Sequence, residues 1–177
     1  MPQQIVFGGG CFWCTEAVFK RLRGVVAVMP GYAGGDTPNP TYGELMSGNS
    51  KHAEVIRVEY DPAAAPLEIL LSVFFSAHDP TTRNRQGNDV GSQYRSLILY
   101  ETDDQRRAVE AFIKKLTDDK VFAKPIVTEI KKLEAFYEAE TYHRDYYDKN
   151  RDQPYCQFVI DPKIKKLREK FERYLKE

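Results

Sequence analysis

The stretch "QQIVFGGGCFWCTEAVF", residues 3–19, decides how the chain begins to fold. "QQIVF" reads as a short buried strand, an apolar run closed by glycines. Gly8 to Gly10 make a flexible connection. A helix is expected over 12–23, with Ala17, Val18, Phe19 and Leu22 on its apolar face and Gly24 as its stop. This hand-over puts Cys11 at a helix N-terminus. Unpaired N–H groups and the positive end of the helix dipole there favour thiolate over thiol. The glycines would let another molecule approach the backbone closely. Phe12 and Trp13 would wall an apolar pocket beside the sulfur.

Working outward, "VVAVMPGYAGG" begins as a strand and is expected to break at Pro30 and Gly31, and residues 36–52 read as mostly loop. "AEVIRVEYDP" is a strand of β-branched residues closed by Asp61-Pro62. Pro66 suits a first helical position, and "LEILLSVFFSAH" continues as an apolar helix. Residues 79–93 form a long polar loop, of the kind that is often functional. "YRSLILY" is the next strand, and Thr102 caps a helix running to about Leu116. "IVTEI" is a last strand, "AETYHRDYYDKN" reads as helical, and "PKIKKLREKFERYLKE" is an amphipathic terminal helix. The order strand, helix, strand, strand, helix, strand is the split βαβ pattern. The expected fold is therefore α+β: a ferredoxin-like α/β sandwich with additional helices and long loops, in a single domain over 1–177.

Composition narrows the function. Lys plus Arg and Asp plus Glu number 26 each, a balance that argues against phosphate-backbone binding and hence against nucleic acid. No window holds the ~18 apolar residues of a membrane span. No basic n-region precedes the first strand, so no signal peptide is expected and the cytoplasm is the expected location. The three cysteines, Cys11, Cys14 and Cys156, do not look like a disulfide framework. A C-x-x-C spacing leaves three readings open: small core residues, a zinc site completed by Cys156 and a histidine, or a catalytic dithiol. The zinc reading lacks a second compact ligand motif. His52, His78 and His143 read as structural rather than catalytic.

Five ordered blocks carry a resemblance over nearly the whole chain: "GGCFWCTEAVF", "GYAGGDTPNPTYGELMSG", "HAEVIRVEYDP", "HDPTTRNRQGNDVGSQYRS" and "YCQFVIDPK". They resemble the A-type peptide methionine sulfoxide reductases, a family with a ferredoxin-like core. The resemblance implies roles for single residues. Cys11 matches the nucleophile, and Phe12 and Trp13 match the rings that hold the substrate methyl. Tyr42 and Glu54 match the groups contacting the sulfoxide oxygen. Asp89 and Tyr94 match two further site residues, and Cys156 lies where many members carry a recycling cysteine. Two departures are visible: Lys51 stands where glycine often precedes the histidine, and Cys14 stands where many members have glycine.

The chemistry fits those roles. A sulfoxide sulfur is electrophilic only if its oxygen takes a proton, and a desolvated Glu54 would stay protonated to supply it. The tyrosines add hydroxyl donors where charge develops. Attack by Cys11 leaves a sulfenic acid, which a second thiol converts to a disulfide. By family analogy thioredoxin then reduces it. No metal or bound cofactor is implied. The expected activity is reduction of methionine S-sulfoxide, free or in proteins, by a monomer. The alternatives are a general thiol–disulfide oxidoreductase using Cys11 and Cys14, and a redox-sensing or metal-binding module. For the recycling thiol, helical spacing puts Cβ atoms three residues apart at about 5–6 Å, wider than the ~3.5–4.5 Å of a disulfide. Pro154 and its polar neighbours suggest a loop able to swing Cys156 inward. The first disulfide is therefore expected between Cys11 and Cys156, with Cys14 as relay or bystander.

Overall fold

The computed structural model describes all residues from Met1 to Glu177. Strand β1 (Gln3–Gly8) leads into helix α1 (Phe12–Phe19), followed by strand β2 (Val25–Ala33), helix α2 (Tyr42–Met46), strand β3 (Ala53–Tyr60) and helix α3 (Leu67–Ala77). Next come strands β4 (Arg85–Gln86), β5 (Asp89–Val90) and β6 (Leu97–Tyr100), then helix α4 (Asp103–Asp118). Strands β7 (Glu129–Lys132) and β8 (Phe136–Glu138) and helices α5 (Tyr146–Lys149) and α6 (Asp161–Phe171) complete the chain. The architecture is mixed α and β. Its six-stranded sheet runs β7-β6-β1-β3-β2-β8, and β4 pairs with β5 in a separate ribbon. Every pair in the large sheet is antiparallel except β6 with β7.

Successive strand residues point to opposite faces. Ile5, Phe7, Ile56, Val58 and Ile98 join the main core with residues of α1, α3 and α6. Val6, Val55, Leu97 and Leu99 form a smaller cluster, closed by Leu133 and Phe136. Phe7 stacks between Phe19 of α1 and Phe74 of α3, with ring centroids 5.1 and 4.7 Å away. That stack fixes α1, and with it the residues at its start, against the centre of the sheet.

Several elements depart from the sequence reading. α1 ends at Phe19 rather than near residue 23. The chain after it pairs with the C-terminal tail, Arg23 N–H donating to the Tyr174 carbonyl at 2.7 Å and Leu22 bridging Leu175. β2 runs straight through Pro30 and Gly31. β8 pairs with β2 only from Gly31 to Ala33, so the donor missing at Pro30 falls where no partner strand continues. The Pro30 carbonyl still accepts from Ala139 N–H at 2.9 Å. A Cβ at Gly31 would lie 2.3 Å from the Phe136 ring, so glycine is what admits β8. The 36–52 segment contains α2, capped by the Thr41 hydroxyl, which accepts from Glu44 N–H at 3.2 Å. The 79–93 segment contains the β4–β5 ribbon and a 3-10 turn over Ser92–Tyr94. Pro66 caps α3 from outside instead of opening it. The expected strand "IVTEI" begins only at Glu129, β8 is an addition, and the "AETYHRDYYDKN" helix is split at Asp145, whose φ is +53°. α4 carries the capping box that Thr102 suggested, completed by Gln105. No helix is long and apolar enough to cross a membrane.

Candidate active site

Cys11 is the N-cap of α1, with extended backbone at φ −60° and ψ 129°. The glycines before it serve the protein's own packing. A Cβ at Gly9 would sit 3.1 Å from His78 and Phe74, and one at Gly10, whose φ is +92°, would sit 2.7 Å from the Gln86 side chain. The hand-over from β1 to α1 is therefore pressed against α3 and β4.

The strand neighbouring β1 brings in the carboxyl. Glu54 on β3 is 1% exposed, and its Oε1 accepts the Phe12 backbone N–H at 3.2 Å. Burial pushes this carboxyl up to about 8; the Asp89 and Cys14 charges add to that push, and the Phe12 N–H opposes it. Glu54 is thus mostly protonated at neutral pH, as a buried acid beside other acids must be.

The helix start does not make Cys11 a resting thiolate. Burial raises it well above the usual thiol range, and the bond to the Cys14 side chain and the Glu54 charge raise it further, against the Trp13 backbone N–H. Cys14 moves the other way. It is lowered by the hydrogen bond from Cys11, by the Lys163 charge and by the Tyr155 hydroxyl, with burial opposing. Of the two thiols, the surroundings favour the ionised form of Cys14 over that of Cys11. Desolvation at this buried helix start outweighs the dipole.

Aromatic residues surround the thiols. Phe12 is completely enclosed, packed on Tyr32 and His143 with ring centroids 5.7 and 4.9 Å away. It underlies the site and offers no open wall. Trp13 is partly exposed and held on three sides. Its Nε1–H donates to His143 Nδ1 at 3.0 Å, its ring stacks on Tyr146 at 3.6 Å, and the Tyr155 ring meets its edge at 5.8 Å. The bond leaves the His143 proton on Nε2, which is buried without a partner.

Tyr42 opens α2 and Tyr94 ends the 3-10 turn over Ser92–Tyr94, and the charges of Glu54 and Cys11 reach both. Burial pushes the Tyr42 phenol up to about 12, so it remains a donor at any working pH. Glu140 fixes Tyr42 through its backbone N–H at 3.0 Å and also accepts the Tyr32 hydroxyl at 2.8 Å. The Tyr94 hydroxyl points at Met46 Sδ, 3.8 Å away. Asp89 accepts the Tyr155 hydroxyl at 2.8 Å, and that hydroxyl lies 3.7 Å from Cys14 Sγ.

Cys156 differs from the expectation. It is 0% exposed and sits in a π-helical turn (Cys156–Ile160) that runs directly into α6, with helical backbone already at Pro154. It is no swinging loop. Ile160, Ile164 and Leu167 anchor this helix in the main core. All three cysteines are free thiols, and no three His, Cys, Asp or Glu side chains are grouped to hold a metal ion.

The structure thus brings Cys11, Cys14, Glu54, Phe12, Trp13, Tyr42, Tyr94 and Asp89 to one end of the sheet. His143, Tyr146, Tyr155 and Glu140 were not singled out from the sequence as part of it. Their signal was the density of rings and carboxylates in 137–155, which periodicity alone does not connect to Trp13 or Tyr42.

A thiol pair at a helix start, facing a protonated carboxyl and phenol donors, is the equipment of a thiol-dependent reductase. A family model described as Peptide methionine sulfoxide reductase matches residues 3–175. The Peptide methionine sulfoxide reductase MsrA of Sulfolobus acidocaldarius is 56% identical over 164 residues, 93% of this chain and 92% of that protein. Among solved structures, reduced Mxr1 from Saccharomyces cerevisiae matches with a TM-score of 0.79 at 34% identity, covering 88% of this chain and 89% of that one. Mxr1 in complex with Trx2 matches at 0.56 and 25% identity, over 82% of this chain and 84% of that one. The chain belongs to the peptide methionine sulfoxide reductase family.

Proposed function

We propose that this chain reduces methionine S-sulfoxide, free or in oxidised proteins, with Cys11 as nucleophile and Glu54 as the acid. The observation that carries the reading is the buried Glu54 carboxyl, held by the Phe12 backbone N–H directly after Cys11. The substrate methyl group lies against Trp13, above the buried Phe12. Its oxygen faces Glu54 and the phenols of Tyr42 and Tyr94. Glu54 donates its proton as the sulfoxide oxygen gains charge, which makes the sulfur side of the bond attackable. Cys11 sulfur takes the oxygen, its own proton being released to a neighbouring base, and methionine leaves as the sulfide. The products are methionine and Cys11 sulfenic acid, one two-electron exchange.

Asp89 acts at one remove by holding the Tyr155 hydroxyl. A second thiol, Cys14 or Cys156, then converts the sulfenic acid to a disulfide. Thioredoxin is the electron donor; the Mxr1–Trx2 complex of a related chain supports this. The buried carboxyl and phenols address an oxygen-bearing substrate, which a plain disulfide exchanger does not need. They favour the reductase over the general oxidoreductase reading.

The same chain is read as one domain working as a monomer in the cytoplasm. The four central strands, β6-β1-β3-β2, with α1 after β1 and α3 after β3, support the split βαβ description of its core. The test is reduction of dabsyl-methionine sulfoxide with dithiothreitol, using resolved S and R epimers. The S epimer should be consumed to the sulfide. Consumption of neither epimer, with insulin reduced instead, would overturn the reading.

A further inference from the structure

Resting on the reductase reading, we infer that Cys14 is the resolving thiol, and that the Cys11–Cys14 disulfide is offered to the reductant through a cleft between the β4–β5 ribbon and the helix that begins at Pro154. Three observations carry it.

The first is backbone geometry. The objection to a Cys11–Cys14 bond assumed that both residues sit on a regular helix. Cys11 is instead the N-cap, with extended ψ, while Cys14 lies in the first turn and donates its N–H to the Cys11 carbonyl at 3.1 Å. The Cys11 side chain therefore leaves from the N-cap and is freed from the helical lattice.

The second is access. A cleft of about 270 Å³ has both Cys11 and Cys14 on its wall. Gln86 and Asp89 flank it on the ribbon side, and Tyr155, Phe158 and Lys163 on the other. Phe158 stands at its rim 79% exposed, an apolar contact for an incoming protein. Cys156 does not line this cleft.

The third is the setting of Cys156 itself. It is 0% exposed, against 9% for Cys11 and 4% for Cys14. Its π-helical turn runs into a helix that Ile160, Ile164 and Leu167 anchor in the main core.

The step balances simply. Cys14 gives up its thiol proton as its sulfur attacks the Cys11 sulfenic sulfur, the sulfur–oxygen bond breaks, and the leaving hydroxide takes up that proton and departs as water. An S–S bond remains. A dithiol reductant then attacks one sulfur from the cleft, forms a mixed disulfide, and leaves oxidised after returning two electrons. Near Cys14, the Lys163 charge and the Tyr155 hydroxyl stabilise the thiolate that attacks and later departs.

The test uses the full chain after one turnover without reductant, with disulfides mapped by mass spectrometry. A Cys11–Cys14 bond is expected; any disulfide that engages Cys156 would overturn the inference. Cys14→Ser should release a single methionine per chain, accumulate a sulfenic acid trapped by dimedone, and stall with thioredoxin. It should still turn over with dithiothreitol, which reduces the sulfenic acid directly and reports that the variant is folded. Sustained turnover of Cys14→Ser with thioredoxin would sink the proposal. If the parent releases no methionine at all, it is the reductase reading that has failed.

Discussion

Glu54 accepts the backbone N–H of Phe12 at 3.2 Å, which ties the middle of the sheet to the first turn of α1. One carboxyl oxygen is thereby occupied and aimed. The residue is 1% exposed, so its acid proton is kept by burial rather than by a partner. The pairing of Glu54 with Tyr32 across β3 and β2 sets its direction, because one residue of slippage would turn the carboxyl to the other face.

Glu54→Gln preserves this shape and removes the proton. The methionine-release step should fall by roughly 10²-fold or more, the range for a lost general acid. In the parent, the acid form is the working form. Since burial places Glu54 at about 8, the rate should hold below that pH and decline above it. Single-turnover rates from pH 6 to 10 would show this limb, and it should be absent from Glu54→Gln. A parent rate that rises steadily through that range would remove Glu54 from the acid role.

Cys11→Ser should lack reductase activity even with dithiothreitol. A hydroxyl is a far weaker nucleophile, and no sulfenic acid forms on it. Methionine release comparable to the parent would refute the assignment of the nucleophile.

Trp13→Ala should raise the apparent KM for methionine sulfoxide, reflecting about 1–3 kcal/mol of lost apolar contact. His143→Leu should act in the same direction through Trp13, whose Nε1–H it would leave unpaired. An unchanged KM in both variants would assign the indole to packing alone.

His78 provides a stability test apart from the chemistry. Its Nδ1 lies 2.6 Å from the Phe74 carbonyl and its Nε2 2.8 Å from Ser96 Oγ, and burial lowers it to about 4. Between that value and the ordinary histidine range of about 6.5, the unfolded chain binds the extra proton and the folded chain does not. The His78 contribution is complete above that window and is lost as pH falls through it. Urea midpoints for the parent and His78→Gln should therefore converge from pH 7 towards pH 4. A difference that stays constant with pH would mean that His78 titrates alike in the folded and unfolded chains.

Much of the scaffold was legible in residues 3–19 and 53–60, where apolar patterning at strand and helix periods is strong and neighbouring glycines punctuate it. Local signals misled where a distant strand or tail claimed the backbone. β2 persists through Pro30 because β8 stops short of it, and α1 is cut short because Leu22 and Arg23 pair with the C-terminal tail. Neither partner is near in sequence, so no window around Pro30 or Leu22 could have contained it.

Residue order specifies the cysteine at a strand-to-helix junction, the acid on β3, and the family blocks that join them. Their chemical states and their neighbours come from the assembled fold. The dipole at α1 predicted an ionised Cys11, but enclosure beside Glu54 and Cys14 keeps it a thiol, because desolvation in a packed interior exceeds half a unit of helix charge. Pro154 suggested a mobile Cys156, but helical continuity into α6 and the packing of Ile160 hold it still. Protonation and reach depend on what surrounds a side chain in three dimensions, and those surroundings are assembled from segments more than a hundred residues apart.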